Sequence, residues 1–579
     1  MTDIRQIDIP EKDIPLRADV SLLGSLVGDV LVDQHGRELF ELVEDIRKAA
    51  ILNREGRGDE AGLDRALSRL DDGQVIRVIQ AFASYLRAVN LAEKIHRIRR
   101  SRAYQRAEAG AQRGSLEAAL SELKEQGIDA DTVASEVNAL RIQPVFTAHP
   151  TEATRRTIQE KEYDIVLRLV ERLNPELTPG EEELALSRIR SAITSSWQTQ
   201  LAPHARPTVA DELDNILFYV TDILYRVTPA FYEAFEQAFE KNFEECPEDL
   251  LRKIILRFGS WVGGDMDGNP NVTSKTILST LAQQRRVIIR RYLPEVRRLS
   301  RYLSQSTTEI GFSEQVMERL EQYRERLPEA WRKIPERHRD MPYRCLLTLV
   351  AARLNATLNE DGHAYSSAAE LAADIELIRD SLMRNRGEHA GLFGVARLLR
   401  RVHTFGFHLM TLDVRQDALL HRRVMGELLG CEDWEARDAD KRAEVLAHLI
   451  ETGGLPPVVD PQALSDEANE ALAVFSAISS ARKLYGDAAI GLFIISMTQG
   501  ADDVLTALAL AAIANPNSAA ADRLDVAPLL ETVDDLQAGP EIINALLSLP
   551  QYRKHLGGLL NRQAVMVGYS DSNKDSGIV

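Results

Sequence analysis

The feature that most constrains this fold is a recurring pattern: a short apolar run that ends abruptly in polar or charged residues. Runs at 145–148, 407–412, 491–496, 525–530 and 564–568 follow it, and the residues between them read largely as helix. An apolar strand that releases polar residues into a turn before a helix is the unit of a parallel β/α structure. In a TIM-like α/β barrel, chemistry sits at the C-terminal ends of such strands. An open doubly wound sheet would give the same layout. Against it, the chain carries neither a GxGxxG nucleotide loop nor a P-loop. The helical content exceeds that of a minimal barrel. The expectation is therefore an α/β barrel, predominantly α-helical with large helical additions and incomplete within this chain. The final run, GYSDSNKDSGIV, leaves its strand and enters a helix just before Val579, as if cut inside an element.

Taken in order, residues 1–140 form an N-terminal helical region, and 141–579 a partial barrel with a long helical insertion around 160–395. Leu23, Leu26, Val27 and Val30 recur at helical spacing, as do Leu39, Leu42, Val43 and Ile46, with Gly36 between two helices. A helix over 75–102 is expected to turn Ile79, Phe82, Tyr85, Leu86 and Val89 inward. Phe231, Tyr232, Phe235 and Phe239 make an aromatic face that reads as core. Arg257–Thr273, RFGSWVGGDMDGNPNVT, reads as a tight polar loop rather than a regular element. Its two aspartates lack the EF-hand ligand pattern.

Composition narrows the class. Apolar residues make up 44% and charged residues 27% of 579 residues, which is ordinary for a water-soluble protein. With 70 Lys+Arg against 88 Asp+Glu, the net charge of −18 argues against nucleic acid and anionic membranes as partners. Cys246, Cys345 and Cys431 show no metal spacing, and their scarcity suits a reducing, cytoplasmic compartment. No apolar signal segment opens the chain, and the most apolar stretch, Val504–Ala514, is too short to span a bilayer.

The strand ends supply the candidate chemistry. His149 leaves the first run in a His–Pro turn, with Arg155 and Arg156 just beyond it to attract phosphate or carboxylate. The bland alternative is a buried turn histidine with surface arginines. Arg415 ends another run, where a guanidinium can clamp a phosphoryl oxygen; the alternative is a salt bridge to Asp413 or Asp417. Glu531 and Asp571 end two more, and each can give an oxygen to Mg²⁺ or Mn²⁺. Read singly, each acid is a cap or a surface pair.

TAHPTEATRRT, GSWVGGDMDGNPNVT, LDVRQD, PLLET and GYSDSNKD together resemble the active-site signatures of the phosphoenolpyruvate carboxylases. The resemblance runs from Ser21 to Val579. It implies His149, Arg415 and Lys574 as catalytic residues, Glu531 and Asp571 as ligands of Mg²⁺ or Mn²⁺, and no biotin. It also implies phosphoenolpyruvate and bicarbonate as substrates, and a homotetrameric parent. Bicarbonate would attack phosphorus to give carboxyphosphate and the enolate of pyruvate, and the enolate would then capture CO2 as oxaloacetate. Met266 replaces an arginine of the family's GGDRDGNP, and Gln200–Ala205 replaces a charged segment before Arg206. The family's FHGRGGxxGRGG loop and its C-terminal effector region are absent. Two further readings are another metal-dependent enolate lyase or aldolase, and a fragment that folds without turning over substrate.

Overall fold

The computed structural model describes residues 10–56, 60–106, 110–147, 155–200, 207–247, 250, 254–457, 461–516, 524–559 and 561–577. The chain divides into two compact units, one of residues 1–118 and 151–206, the other of 119–150 and 207–579.

The first unit is helical. Helices Ile14–His35 and Arg37–Arg54 meet at Gly36, whose φ of +84° favours glycine. The long helix Asp72–Arg106 packs on Ile14–His35. The face it buries is only partly the expected one: Phe82, Tyr85 and Val89 are half-buried, with Phe82 packed against the core, but Ile79 and Leu86 are 62% and 58% exposed, while Val78, Ala81, Ala88, Leu91 and Ala92 face inward. Ala81, Ala88 and Ala92 at the contact let two helix axes approach closely, beside the larger Val78 and Leu91. Helix Pro179–Trp197 starts with a capping box between Thr178 and Glu181. Its far end is tied by Trp197 Nε1, which donates to His35 Nε2 at 3.0 Å.

The second unit holds a curled, all-parallel sheet of six strands, half of a TIM-like barrel, inside a predominantly helical body. The strands are β1 (Val145–Phe146), β2 (Gly259–Ser260), β3 (Thr411–Asp417), β4 (Ile490–Ser496), β5 (Asp525–Leu530) and β6 (Met566–Val567), and they lie side by side in chain order. Each of the five expected runs contributes, with two corrections. The run at 407–412 is not itself the strand: Phe407 and Leu409 are buried in a turn where Leu409 takes φ +64°, and β3 starts at Thr411. The stretch read as a loop over 257–273 contains β2. The amides of Gly259 and Thr411 donate to Pro144 O and Phe258 O, both at 2.9 Å, and so stitch β2 between its neighbours. Among the described residues, no helix is long and apolar enough to cross a membrane.

Helices cover the outer side of β3–β5. Leu412, Val414, Phe493, Ile495 and Val526 join Phe475 and Leu505 in one apolar core. Within it, at the start of helix Ala501–Ala514, Asp503 is fully buried and accepts two bonds of 2.7 Å from Arg422, through Nε and Nη2. Gln499 N also donates to Asp503, at 2.9 Å. Removing Asp503 takes both 2.7 Å bonds from the buried Arg422 and leaves Asp502, whose Oδ2 is 3.8 Å from Nε, as its one ion-pair partner among the described residues. Asp503→Ala is therefore expected to cost about 3–5 kcal/mol, read as a lower urea midpoint by intrinsic fluorescence. An unchanged midpoint would mean that Arg422 finds solvent at no cost.

Candidate active site

Strand β3 is the spine of the site. Leu412 and Val414 enter the helix-covered core, which leaves Asp413 and Arg415 for the other face of the sheet. That face is apolar where the strands are central: Ile494, Ala527 and Leu529 are buried there, with Trp261, Leu492, Ala564 and Met566 packed against them. Arg415 is thus a cation at the end of a strand, beside an apolar floor.

The partners of Arg415 are neither Asp413 nor Asp417. Nε donates to Asp265 Oδ1 at 2.8 Å, and Nη2 lies 3.5 Å from Asp267 Oδ2. Asp413 is engaged elsewhere, and Asp417 caps the following helix by accepting from Leu419 N at 2.5 Å. The GGDMD loop reaches Arg415 because it continues the sheet: Arg415 N donates to Gly264 O and Met266 N to Arg415 O, both at 2.9 Å. A Cβ on Gly264 would overlap Asp413 O, so this approach requires glycine. Met266, which stands where the resemblance gives arginine, is 7% exposed and packs with Val272, Ile277 and Leu281. It anchors the loop from below.

The electrostatics follow from this packing. Burial raises the Asp265 carboxyl above its ordinary value, against the pull of Arg415. Burial also works against the Arg415 cation. The bond and charge of Asp265, with Asp267 and Glu531, outweigh it and hold the guanidinium pKa above normal. The Nε edge is occupied by aspartate, and among the described residues the Nη1 side has no acceptor. That open side is a half-fork suited to a phosphoryl or carboxylate oxygen.

Glu531 follows β5 directly and is 8% exposed. Its position is set by the capping box of the next helix, in which Asp535 N donates to Thr532 Oγ1 and Thr532 N to Asp535 Oδ2, both at 3.1 Å. Helix Tyr569–Ser576, which carries positions 571 and 574, is drawn to the same strand end. Gly568 N donates to Leu530 O at 3.2 Å, Ser572 Oγ to Glu531 O at 2.8 Å, and Asp575 Oδ2 accepts from Val533 N at 3.1 Å. The side chains of Asp571 and Lys574 lie outside those described, as do His149 and residues 201–206. The described part of the β1 turn ends at Thr147, after Phe146 O has accepted from Trp261 N at 2.8 Å. The Glu531 carboxylate is a hard oxygen donor of the kind Mg²⁺ and Mn²⁺ take; among the described residues no group of three or more His, Cys, Asp and Glu side chains is placed to hold a metal ion.

Two residues take roles that the sequence did not reveal. Trp261 places its ring under Arg415, with Cζ 5.2 Å from the ring centre. Asp413, 3% exposed, accepts from the indole Nε1 at 3.2 Å and from Leu492 N at 2.9 Å. Burial lifts its carboxyl to about 6 against those two bonds. The one signal available in the sequence was a charged residue amid an apolar strand.

The family model for phosphoenolpyruvate carboxylase matches residues 16–579. The phosphoenolpyruvate carboxylase of Xanthomonas oryzae pv. oryzae is 46% identical over 570 residues, covering 98% of this chain and 62% of the relative. That of Azoarcus sp. is 36% identical over 594 residues, covering 98% and 63%. That of Mycobacterium leprae is 35% identical over 589 residues, covering 97% and 61%. The chain thus spans less than two thirds of the length of these relatives. With a match from residue 16 to its last residue, the chain belongs to the phosphoenolpyruvate carboxylase family.

Proposed function

We propose that the full-length form of this protein carboxylates phosphoenolpyruvate with bicarbonate, giving oxaloacetate and phosphate. The observation that carries the reading is that Arg415, near the C-terminal end of β3, and Glu531, directly after β5, belong to the same end of one all-parallel sheet, with an apolar floor beside Arg415. A cation with an open donor edge and a buried carboxylate are what a phosphorylated enol and its counter-cation require.

In this reading the Nη1 side of Arg415 holds the phosphoryl group, and Asp265 and Asp267 fix the guanidinium plane. His149 accepts the bicarbonate proton. A bicarbonate oxygen bonds to phosphorus as the bond to the enol oxygen breaks, which yields carboxyphosphate and the enolate of pyruvate. Carboxyphosphate then splits into phosphate and CO2, and the enolate carbon bonds to CO2. Lys574 holds the anionic species in place. Ile494, Ala527 and Leu529 keep water sparse, so the enolate meets CO2 before a proton. Glu531 and Asp571 would hold Mg²⁺ or Mn²⁺, which when bound supplies positive charge against the developing oxyanion. No biotin takes part.

Two experiments test the reading. A coupled oxaloacetate assay on a full-length form should require both phosphoenolpyruvate and bicarbonate. Turnover independent of bicarbonate would favour an enolate lyase or aldolase. Glu531→Gln should weaken Mn²⁺ binding, followed by the electron paramagnetic resonance of free Mn²⁺. The expected loss exceeds the roughly 10–100-fold that an outer-shell partner costs. Unchanged Mn²⁺ affinity would remove Glu531 from the ligand set.

A further inference from the structure

Strand β3 does not run evenly past β4. The register slips between Leu412 and Val414, so that Leu412 pairs with Ile490 but Val414 with Phe493. In the slipped stretch the amide of Leu492 is taken by a side chain, Asp413 Oδ1, at 2.9 Å. The other oxygen, Oδ2, accepts from Trp261 Nε1 at 3.2 Å. A Cβ on Gly491 would overlap Asp413 Oδ1, so the carboxylate enters only because that residue is glycine.

A bulge needs just one acceptor to satisfy one orphan amide. A carboxylate that is 3% exposed is a costly way to provide it. Its second oxygen is what a simpler acceptor would lack, and that oxygen is spent on the tryptophan beneath Arg415. A half-buried indole held only by packing can turn about its terminal torsion, which is broad. The bond from Nε1 removes that freedom.

We propose that Asp413 is a positioning residue, whose carboxylate locks the Trp261 indole as the platform on which the Arg415 guanidinium rests. Asp265 and Asp267 hold one edge of the guanidinium and the indole holds one face. The open Nη1 edge is thereby aimed rather than free to swing. Loss of the lock would loosen substrate binding without removing any group that touches substrate. This inference rests on the reading of Arg415 as the phosphate-holding cation.

Asparagine at 413 is the discriminating change. Leu492 N and Trp261 Nε1 face different oxygens of Asp413, and asparagine replaces one of the two by an NH2 donor, so the two cannot both be served. The chain has 4 tryptophans, so 5-fluorotryptophan labelling gives a small ¹⁹F spectrum in which Trp261→Phe identifies the Trp261 signal. In Asp413→Asn that signal should move while the other tryptophan signals stay. In a full-length form the KM for phosphoenolpyruvate should rise roughly 10-fold, the size of one lost hydrogen bond to a charged group. kcat should change less. Trp261→Phe should raise KM similarly, and the double variant should be no worse than either single one. A fixed Trp261 signal in Asp413→Asn overturns the proposal, as does movement of every signal, which would make Asp413 a fold element alone. Single losses that multiply in the double variant also overturn it. If the wild type forms no oxaloacetate, the reading of Arg415 fails, while the fluorine spectrum still decides whether Asp413 holds the indole.

Discussion

Arg415→Gln in a full-length form is expected to lower oxaloacetate formation by about 10³-fold, in line with the loss of a cation that stabilises a transferring phosphoryl group. Two effects combine. The half-fork at Nη1 disappears, so the phosphoryl oxygens lose their donor. Asp265 and Asp267 then face the site without their cation, 2.8 and 3.5 Å from where it stood, and repel the substrate. Arg415→Lys separates the two. Its ammonium keeps the charge near the aspartates but cannot bridge them and a phosphoryl oxygen in one plane. Lysine should recover the tolerance for the anion, seen in KM, more than it recovers kcat. A lysine variant with wild-type kcat and KM would show that Arg415 acts as a point charge, and that the fork geometry has no role. A glutamine variant with wild-type turnover would remove Arg415 from the chemistry.

How legible this site was depends on how far apart its parts lie in the chain. The strands that bear apolar residues were readable, because a run such as AIGLFIIS has no other use than burial between a helix layer and a sheet face. Strand β2 was not readable. Gly259 and Ser260 carry no apolar signal, and their membership in the sheet is decided by the backbones on either side. The start of β3 was misplaced for a related reason. Phe407 and Leu409 are as buried as any strand residue, yet the backbone there turns through a left-handed conformation. Burial sets which residues are apolar and leaves the local conformation open.

The partners of Arg415 make the same point. Local reasoning considers residues two positions away on the same strand face, which are Asp413 and Asp417. Both are occupied elsewhere: Asp413 by a bulge amide of β4 and by the Trp261 indole, Asp417 by a helix cap. The pairing acids arrive instead from a loop about 150 positions earlier. The loop was legible as polar and unusual, but its destination was set by the Gly264 and Met266 backbone bonds to β3. The glycines and Met266 thus form one device, with close approach above and an apolar anchor below. A missing arginine there removes charge from the core side of the loop, and the acids still face Arg415.

His149→Asn is the second large expected effect, and it separates chemistry from binding. In the sequence the histidine comes three residues after β1, within TAHP, as Arg415 lies in β3 and Glu531 directly follows β5. In the proposed reaction it takes the bicarbonate proton. Asparagine can keep one hydrogen bond, but it cannot accept a proton near neutral pH. Oxaloacetate formation in a full-length form should therefore fall by about 10²–10⁴-fold, the usual worth of a positioned general base. Phosphoenolpyruvate affinity, measured by calorimetry with Mg²⁺ present, should change far less, because Arg415 and its aspartates are untouched. The pH profile gives an independent readout. In the wild type, kcat/KM should rise with pH through the histidine's titration, since the neutral imidazole is the active base. In the variant that limb should vanish. Equal losses of affinity and turnover, with the limb retained, would make His149 a substrate-holding residue and assign the proton to another group.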